Sequence, residues 1–345
     1  MNDAACARKT YPEVSLVISN LNGKELLRDC LDSLFNQDYP GSYEIIVVDT
    51  GSTDGTPEMV AHEFPEVRLV EVNRMGIGKA LNLGMTKAQG KIFAFDINND
   101  EVFSQGWLRI LVNALMNHTD AGVVGGIRIL SGTKNVIDEA GVTFNYLGIP
   151  SSYINTRLPD MPDGPRRVDY VGAPLFQREM LEIVGMCDEE YVVYAEDEDF
   201  CARVKRAGYD VLVVPQAISY HKRSATLGKI TALSLYYERR NHIRFIIKNF
   251  PLPRMFLALF WHVFLLTAID ASMCFPLMRK AFGSKQSRLF FLSKRAAKPN
   301  FRAVIEAILW NIRNFRSTII SRYQLPHIDR CRSQTHRNRT SRMCT

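Results

Sequence analysis

Carboxylates crowd one short stretch of this chain. Residues 194–201 read YAEDEDFC, so Glu196, Asp197, Glu198 and Asp199 stand side by side in a protein whose formal net charge is +7. Two chemistries use such a cluster: a carboxylate that takes the proton of a reacting hydroxyl, and carboxylates that hold a hard divalent cation. A structural account competes with both. EDEDFCARVKRAG reads as a helix with acids in its first turn, Lys205 and Arg206 in its last and Gly208 closing it, which suits the macrodipole, and Asp199 stands i, i+4 from Arg203. Other polar sets follow apolar runs: SNLNG at 19–23, DTGSTDGT at 49–56, DINNDE at 96–101 and YHKR at 220–223. Taken singly, each makes a turn as readily as a site. Asp49 reads as an Asx turn or a ligand acceptor, Lys79 as a surface or a phosphate-facing lysine, and His221 as a structural or a ligating histidine.

These residues need elements that bring them together. EVSLVIS (13–19) and the continuous apolar run YEIIVV (43–48) read as strands, the second buried on both faces. Between them Leu26, Leu27, Cys30, Leu31, Leu34 and Phe35 fall at helical spacing. A helix from Pro57 with Thr56 as its cap, a strand at 67–72, a helix through KALNLGMTKA and a strand at 91–95 continue the alternation. A helix at 107–117 and a strand in GVVGGIRIL precede an irregular stretch from 131 to 170. The strand-like VDYVGAPLF, a helix near 178–185, the acidic helix and the strand YDVLVVP (209–215) complete the pattern. The expected fold is α/β, a Rossmann-like, mainly parallel sheet flanked by helices, with its site beyond the carboxyl ends of the strands.

In order, these segments resemble glycosyltransferase family 2, in its rhamnosyltransferase-like branch. The resemblance is carried by VSLVISNLNGKELLRDCLDSLFNQDYPGSYEIIVVDTGSTDGT, NRMGIGKALNLG, INNDEVFSQGW, VDYVGAPLFQREMLEIVG and YAEDEDFCARVKRAGYDVLVVPQAISYH, over roughly residues 13–245. It implies a GT-A fold and an inverting transfer of sugar from a nucleotide-sugar donor. It further implies that Asp49, with Ser19 and Asn22, reads the nucleobase, and that Lys79 and Asn82 contact the nucleotide. Asn98 and Asp100 take the place of the family's metal-binding acids, for Mg²⁺ or Mn²⁺, with His221 on the metal or diphosphate and Asp96 as a departure from the pattern. Lys222 and Arg223 would neutralise the leaving diphosphate. Asp197 falls on the family's base, and Glu196 and Asp199 become supporting residues.

Charge is unevenly distributed. Residues 251–345 hold 17 Lys/Arg against 3 Asp/Glu, so the basic end is expected to meet an anionic surface. Residues 255–278 are apolar except for Asp270 and His262, and read as a re-entrant or interfacial segment in preference to a span. Residues 301–319 set Phe301, Val304, Ile305, Ile308, Leu309, Ile312, Phe315 and Ile319 on one stripe, as in a helix lying on a membrane. The expected organisation is a tail (1–12), a catalytic domain (13–250, halves 13–105 and 106–250), a membrane-associated helical region (251–325) and a basic disordered tail (326–345). Seven cysteines without CxxC spacing, and no apolar leader at the start, fit a reducing cytosol. The expected location is the cytoplasmic face of the cell membrane, with a lipid-linked or cell-surface glycan as acceptor. Two alternatives stand beside this: a polyprenyl-phosphate sugar synthase, whose Asp-Ala-Asp-Leu-Gln stretch is not found in DINNDE, and a non-catalytic binder of nucleic acid or membrane. No nucleic-acid motif is present, and none is expected as partner.

Overall fold

The structure is a computed structural model that describes residues 13–153, 155–158, 161–222, 231–265 and 301–323. Its first half alternates β1 (Val14–Asn20), α1 (Lys24–Phe35), β2 (Tyr43–Asp49), α2 (Thr56–Glu63), β3 (Arg68–Glu71), α3 (Ile77–Lys87) and β4 (Ile92–Ile97). β3, β2, β1 and β4 lie side by side in parallel. The two-residue side-chain period of these strands feeds two cores. Val14, Leu16 and Ile18 meet Leu27, Leu31 and Leu34 of α1, whereas Val17 and Phe93 point to the opposite face with Leu81 and Met85 of α3. Both faces are thus covered, as a parallel sheet requires.

After β5 (Glu101–Phe103) and α4 (Trp107–Asn117) come β6 (Ala121–Leu130), β7 (Ile137–Glu139) and the small hairpin of β8 (Thr143–Phe144) and β9 (Pro150–Ser151). β10 (Arg166–Val168), β11 (Leu175–Gln177), α5 (Glu179–Val184), α6 (Glu196–Arg206) and β12 (Asp210–His221) follow. β11 is antiparallel to both β4 and β6, which makes the sheet mixed, and the order runs β10-β12-β6-β11-β4-β1-β2-β3. VDYVGAPLF is therefore two short strands with a non-strand bridge, and the strand begun by YDVLVVP extends to His221.

α7 (Ala232–Asn249) and α8 (Leu252–Leu259) run into a π-helical turn, Phe260–Leu265, and α9 (Phe301–Arg313) and α10 (Phe315–Tyr323) pack back on α7. Asn311 donates to the Arg240 carbonyl at 2.9 Å and Arg322 to the Ile247 carbonyl at 2.6 Å. The amphipathic stripe of residues 301–319 is divided between two sides. Ala303, Val304, Ala307 and Asn311 are buried against the body, while Ile305, Leu309, Ile312 and Phe315 remain exposed. No helix among the described residues is long and apolar enough to cross a membrane. Residues 1–12, 266–300 and 324–345 lie outside the described residues, and with them most of the 255–278 segment and the basic tail.

Candidate active site

Two loops at the carboxyl ends of β1 and β2 are laced together by one Asx turn and one capping carboxylate. Asp49 is buried, and its Oδ1 accepts from the backbone N–H of Gly51 (3.1 Å) and Ser52 (2.8 Å). Its Oδ2 accepts from Asn20 Nδ2 (3.0 Å) and the Ser52 hydroxyl (2.6 Å). A bond from a base would have to displace one of these. Asn22, at φ 54°, accepts from the Thr53 N–H through its side chain (2.9 Å), and Ser19 is half-buried opposite Val48 in the register of β1 and β2. Asp54 is a residue the sequence reading missed. It accepts from the Gly23 and Lys24 N–H groups at 2.7 and 2.9 Å, capping α1 from the neighbouring loop, and its other oxygen accepts from Thr56. The expected Thr56 cap gives way to this arrangement, with Gly55 in the capping position at φ 82°.

Sheet register assembles a second layer. β12 pairs Ser219, Tyr220 and His221 with Phe103, Val102 and Glu101 of β5, and Ser219 with Arg128 of β6, which in turn pairs with Glu139 of β7. Arg128, 11% exposed, donates to Glu101 (2.7 Å) and Glu139 (3.0 Å). Gly172 makes room for the guanidinium, because a Cβ there would lie 2.0 Å from Arg128 Nη1. His221 sits between two acids, Nδ1 to Asp138 at 2.7 Å and Nε2 to Asp100 at 3.3 Å. Burial disfavours its charged form, but Asp100 and Asp138 outweigh that and raise it to about 9. Of the three expected metal-site residues, Asp100 and His221 are together, whereas Asn98 turns its amide nitrogen to Glu101 at 2.9 Å. Lys222 pairs with Asp29 of α1, and Arg223 lies outside the described residues.

The third layer is the start of α6. Phe200 wedges against Phe95 and Phe176, with ring centroids 5.0 and 4.7 Å away, which fixes the helix on the sheet one turn after Asp197. The chain enters α6 through Tyr194 and Ala195, at φ 69° and 71°, a left-handed pair that costs roughly 1–2 kcal/mol per residue. Burial, then repulsion from Glu139, raises Asp197 to about 6, with Arg128 opposing. Burial and the Asp197 charge raise Glu196 to about 8, and its Oε2 is buried without a hydrogen-bond partner among the described residues. Glu198 is also raised by burial and its acidic neighbours. Asp96, at the end of β4 and left-handed at φ 58°, is raised well above the carboxylate range by burial and by Glu196 and Asp197. It belongs to the same cluster.

Asp199 points elsewhere. Burial opposes its ionisation, but Lys248 and Arg203 hold it well below the usual carboxylate range, at 2.9 Å each, and Asn249 adds a bond at 2.9 Å. It ties α6 to α7 and stands outside the acid cluster. Lys79 and Asn82 are also engaged in an unforeseen way. Asn82 is buried and clasps Cys187, donating to its carbonyl (3.0 Å) and accepting from its N–H (2.9 Å), while Lys79 Nζ lies 3.9 Å from Glu189. The N-terminus of α3 thus meets the strap of residues 187–195 that leads to α6.

Among the described residues the cluster is short of positive charge. Asp100, Glu101, Asp138, Glu139 and Asp197 face Arg128 and His221, beside the raised acids Asp96 and Glu196, and Glu196 Oε2 has no partner among the described residues. Among the described residues, no three His, Cys, Asp or Glu side chains form a ready metal cage. The donor set still fits a hard divalent ion of the kind that takes one or two protein oxygens and completes its shell from phosphates and water.

Comparison with known proteins bears on the fold and on the family that the chain resembles. Residues 15–183 match the family described as Glycosyl transferase family 2. Glycosyltransferase AglE of Haloferax volcanii is 37% identical over 123 residues, 34% of this chain and 40% of that protein. Probable glycosyltransferase YdaM of Bacillus subtilis is 26% identical over 263 residues, 71% of this chain and 60% of that one. A mannosyltransferase of Pyrobaculum calidifontis, solved with GDP-Man and Mn²⁺, superposes with a TM-score of 0.52 at 20% identity over 88% of each chain. GalNAc-T7, solved with UDP, GalNAc and Mn²⁺, gives 0.57 at 17% identity over 88% of this chain and 58% of its own. The two solved structures establish a GT-A-like fold. Residues 15–183 are thus similar to glycosyl transferase family 2, and the chain spans 40% and 60% of the length of these two curated glycosyltransferases.

Proposed function

We propose that this enzyme moves a sugar from a nucleotide-sugar donor to a lipid-linked or cell-surface glycan acceptor by a single inverting displacement, at the cytoplasmic face of the membrane. The observation that carries the reaction is the split in proton affinity at the start of α6. Near neutral pH Glu196, raised to about 8, keeps its proton, and Asp197, raised to about 6, is ionised. Asp197 is then the base that takes the acceptor hydroxyl proton while that oxygen attacks the anomeric carbon and the nucleoside diphosphate departs. Its raised affinity brings it closer to the working pH than an ordinary aspartate.

A divalent metal, Mg²⁺ or Mn²⁺, would be held by Asp100, by the Asn98 side-chain oxygen and by His221 Nε2 once that nitrogen has released its proton, and would supply charge that stabilises the leaving diphosphate. Asp138 orients the His221 ring through Nδ1, as second ligation-layer carboxylates do for metal-bound histidines. Ser19, Asn22 and Asp49 shape the loop pair that receives the nucleobase, and Lys79, 55% exposed at the start of α3, faces the diphosphate, with Asn82 fixing the strap beside it. The membrane assignment is supported by the basic end of the chain and the outward apolar stripes of α8 and α9.

The test is a screen of nucleotide sugars with Mg²⁺ and with Mn²⁺, reading thermal stabilisation and donor hydrolysis. One donor class should stabilise the protein only with metal, and Asp197→Asn should keep that stabilisation while losing transfer by about 10²–10⁴-fold. Near wild-type transfer by Asp197→Asn would remove it as the base.

A further inference from the structure

The strap of residues 187–195 ends in the left-handed pair that launches α6, and a buried side chain from α7 holds that turn. Asn241 is fully buried. Its Nδ2 donates to the carbonyls of Val193 (2.6 Å) and Tyr194 (2.9 Å), the two carbonyls flanking Tyr194. Its Oδ1 accepts from Arg240 Nε at 2.8 Å, and the Arg240 guanidinium donates to the Glu190 carbonyl earlier in the strap. A left-handed turn turns its carbonyls away from any regular ladder, so these acceptors depend on a side-chain donor. The other edge of the strap lies on α3, where the Ile77 N–H donates to Val192 at 2.8 Å and the Gly78 N–H to Tyr191 at 3.2 Å. A Cβ at Gly78 would stand 2.9 Å from the Asp188 carbonyl, so this close contact requires glycine.

We infer that Asn241 is a positioning residue for the transfer reaction: by holding the Val193–Tyr194 turn it sets the direction in which α6 begins, and with it the carboxylate of Asp197. The inference rests on Asp197 being the base proposed above. The hydrogen bonds of the Asn241 side chain go to the turn and to Arg240, outside the acid cluster. Its effect passes through the turn, so it acts on the catalytic step more than on donor binding.

Asn241→Asp tests this, because it keeps the volume and the acceptor for Arg240 but removes both donated bonds. Ile243→Ala, a packing loss in the core of the same helix, is the comparison. Amide hydrogen exchange in full-length protein should rise in residues 188–198 for Asn241→Asp and stay local to α7 for Ile243→Ala. With the donor selected by the screen, kcat should fall at least tenfold in Asn241→Asp with donor KM within twofold, while Ile243→Ala loses activity only in proportion to its unfolded fraction. Asn241→Gln, which carries the same amide on a longer stem, should recover part of kcat. Unchanged exchange in 188–198, or a kcat loss matched by Ile243→Ala at equal stability, overturns the assignment. If no donor supports transfer by the wild-type protein, the base assignment fails, and the exchange pattern alone still decides whether Asn241 holds the turn.

Discussion

At the scale of single residues, what distinguishes Asp197 from its neighbours is what surrounds it. Glu139 repels its charge and Arg128 attracts it, and these two are themselves bound to each other at 3.0 Å. Because the base proposed here acts ionised, kcat/KM should fall as pH drops through about 6. Glu139→Gln keeps an acceptor for the Gly172 N–H but removes the repelling charge and frees Arg128, and both changes make Asp197 easier to ionise. The acid limb should therefore move to lower pH, measured as a kcat/KM profile between pH 4.5 and 8. A limb that stays in place, or moves up, would mean that another group sets it. The acids at 196–199 were legible because they are contiguous. Glu101, Arg128, Asp138 and Glu139 were not, because each reads as one polar residue in a strand, and only the register of β5, β6, β7 and β12 brings them together. The readings of Lys79 and Asn82 missed the strap for the same reason: their partners are more than a hundred residues downstream.

At the scale of elements, α6 is held at both of its layers, by Phe200 in the sheet core and by Asp199 on α7. Burial favours the neutral acid at Asp199, but Lys248 and Arg203 win and its folded affinity for protons is depressed. A depressed carboxylate contributes stability that is present above its unfolded pKa and lost as pH falls through that range and below. Asp199→Asn leaves Lys248 and Arg203 without one buried counter-charge, although Lys248 retains Asp188 at 2.8 Å. It should cost about 3–5 kcal/mol at pH 7. The difference from wild type should narrow towards pH 3, as read by denaturant melts at both pH values. A loss under about 1 kcal/mol at pH 7 would show that the ion cluster contributes little. The sequence predicted α6, its Asp199–Arg203 pair and the parallel strands well, because strands covered on both faces and a four-residue ion pair leave local patterns. It could not show that VDYVGAPLF breaks in the middle, since the break accommodates the Arg128 guanidinium beside Gly172, a partner from another strand.

At the scale of the whole molecule, α7 is the hub through which the C-terminal helices reach the site. Arg244 bonds Asp188 in the strap at 2.8 Å and Thr318 of α10 at 2.7 Å, so cutting the chain after residue 250 would strip α7 of its cover. Membrane binding is better tested with point changes on the faces that the fold leaves open. Leu252 and Phe256 on the outside of α8 and Phe260 at the start of the π-helical turn recur every fourth residue, and Ile305, Leu309 and Ile312 form an outward stripe on α9 beside Arg302 and Arg313. Apolar side chains flanked by arginine suit the interface of an anionic bilayer. The full chain should therefore co-float with vesicles of phosphatidylglycerol and phosphatidylcholine, less so with phosphatidylcholine alone, and less again at high salt. Phe256→Glu combined with Leu309→Glu should weaken flotation at least tenfold while leaving the melting temperature and donor stabilisation unchanged, because neither side chain is part of the core. Flotation undiminished in the double variant would assign anchoring to residues outside these two faces. Absence of flotation in the wild type would refute the membrane reading, and concentration-dependent self-association abolished by the same two changes would identify the faces as a contact between copies of the chain.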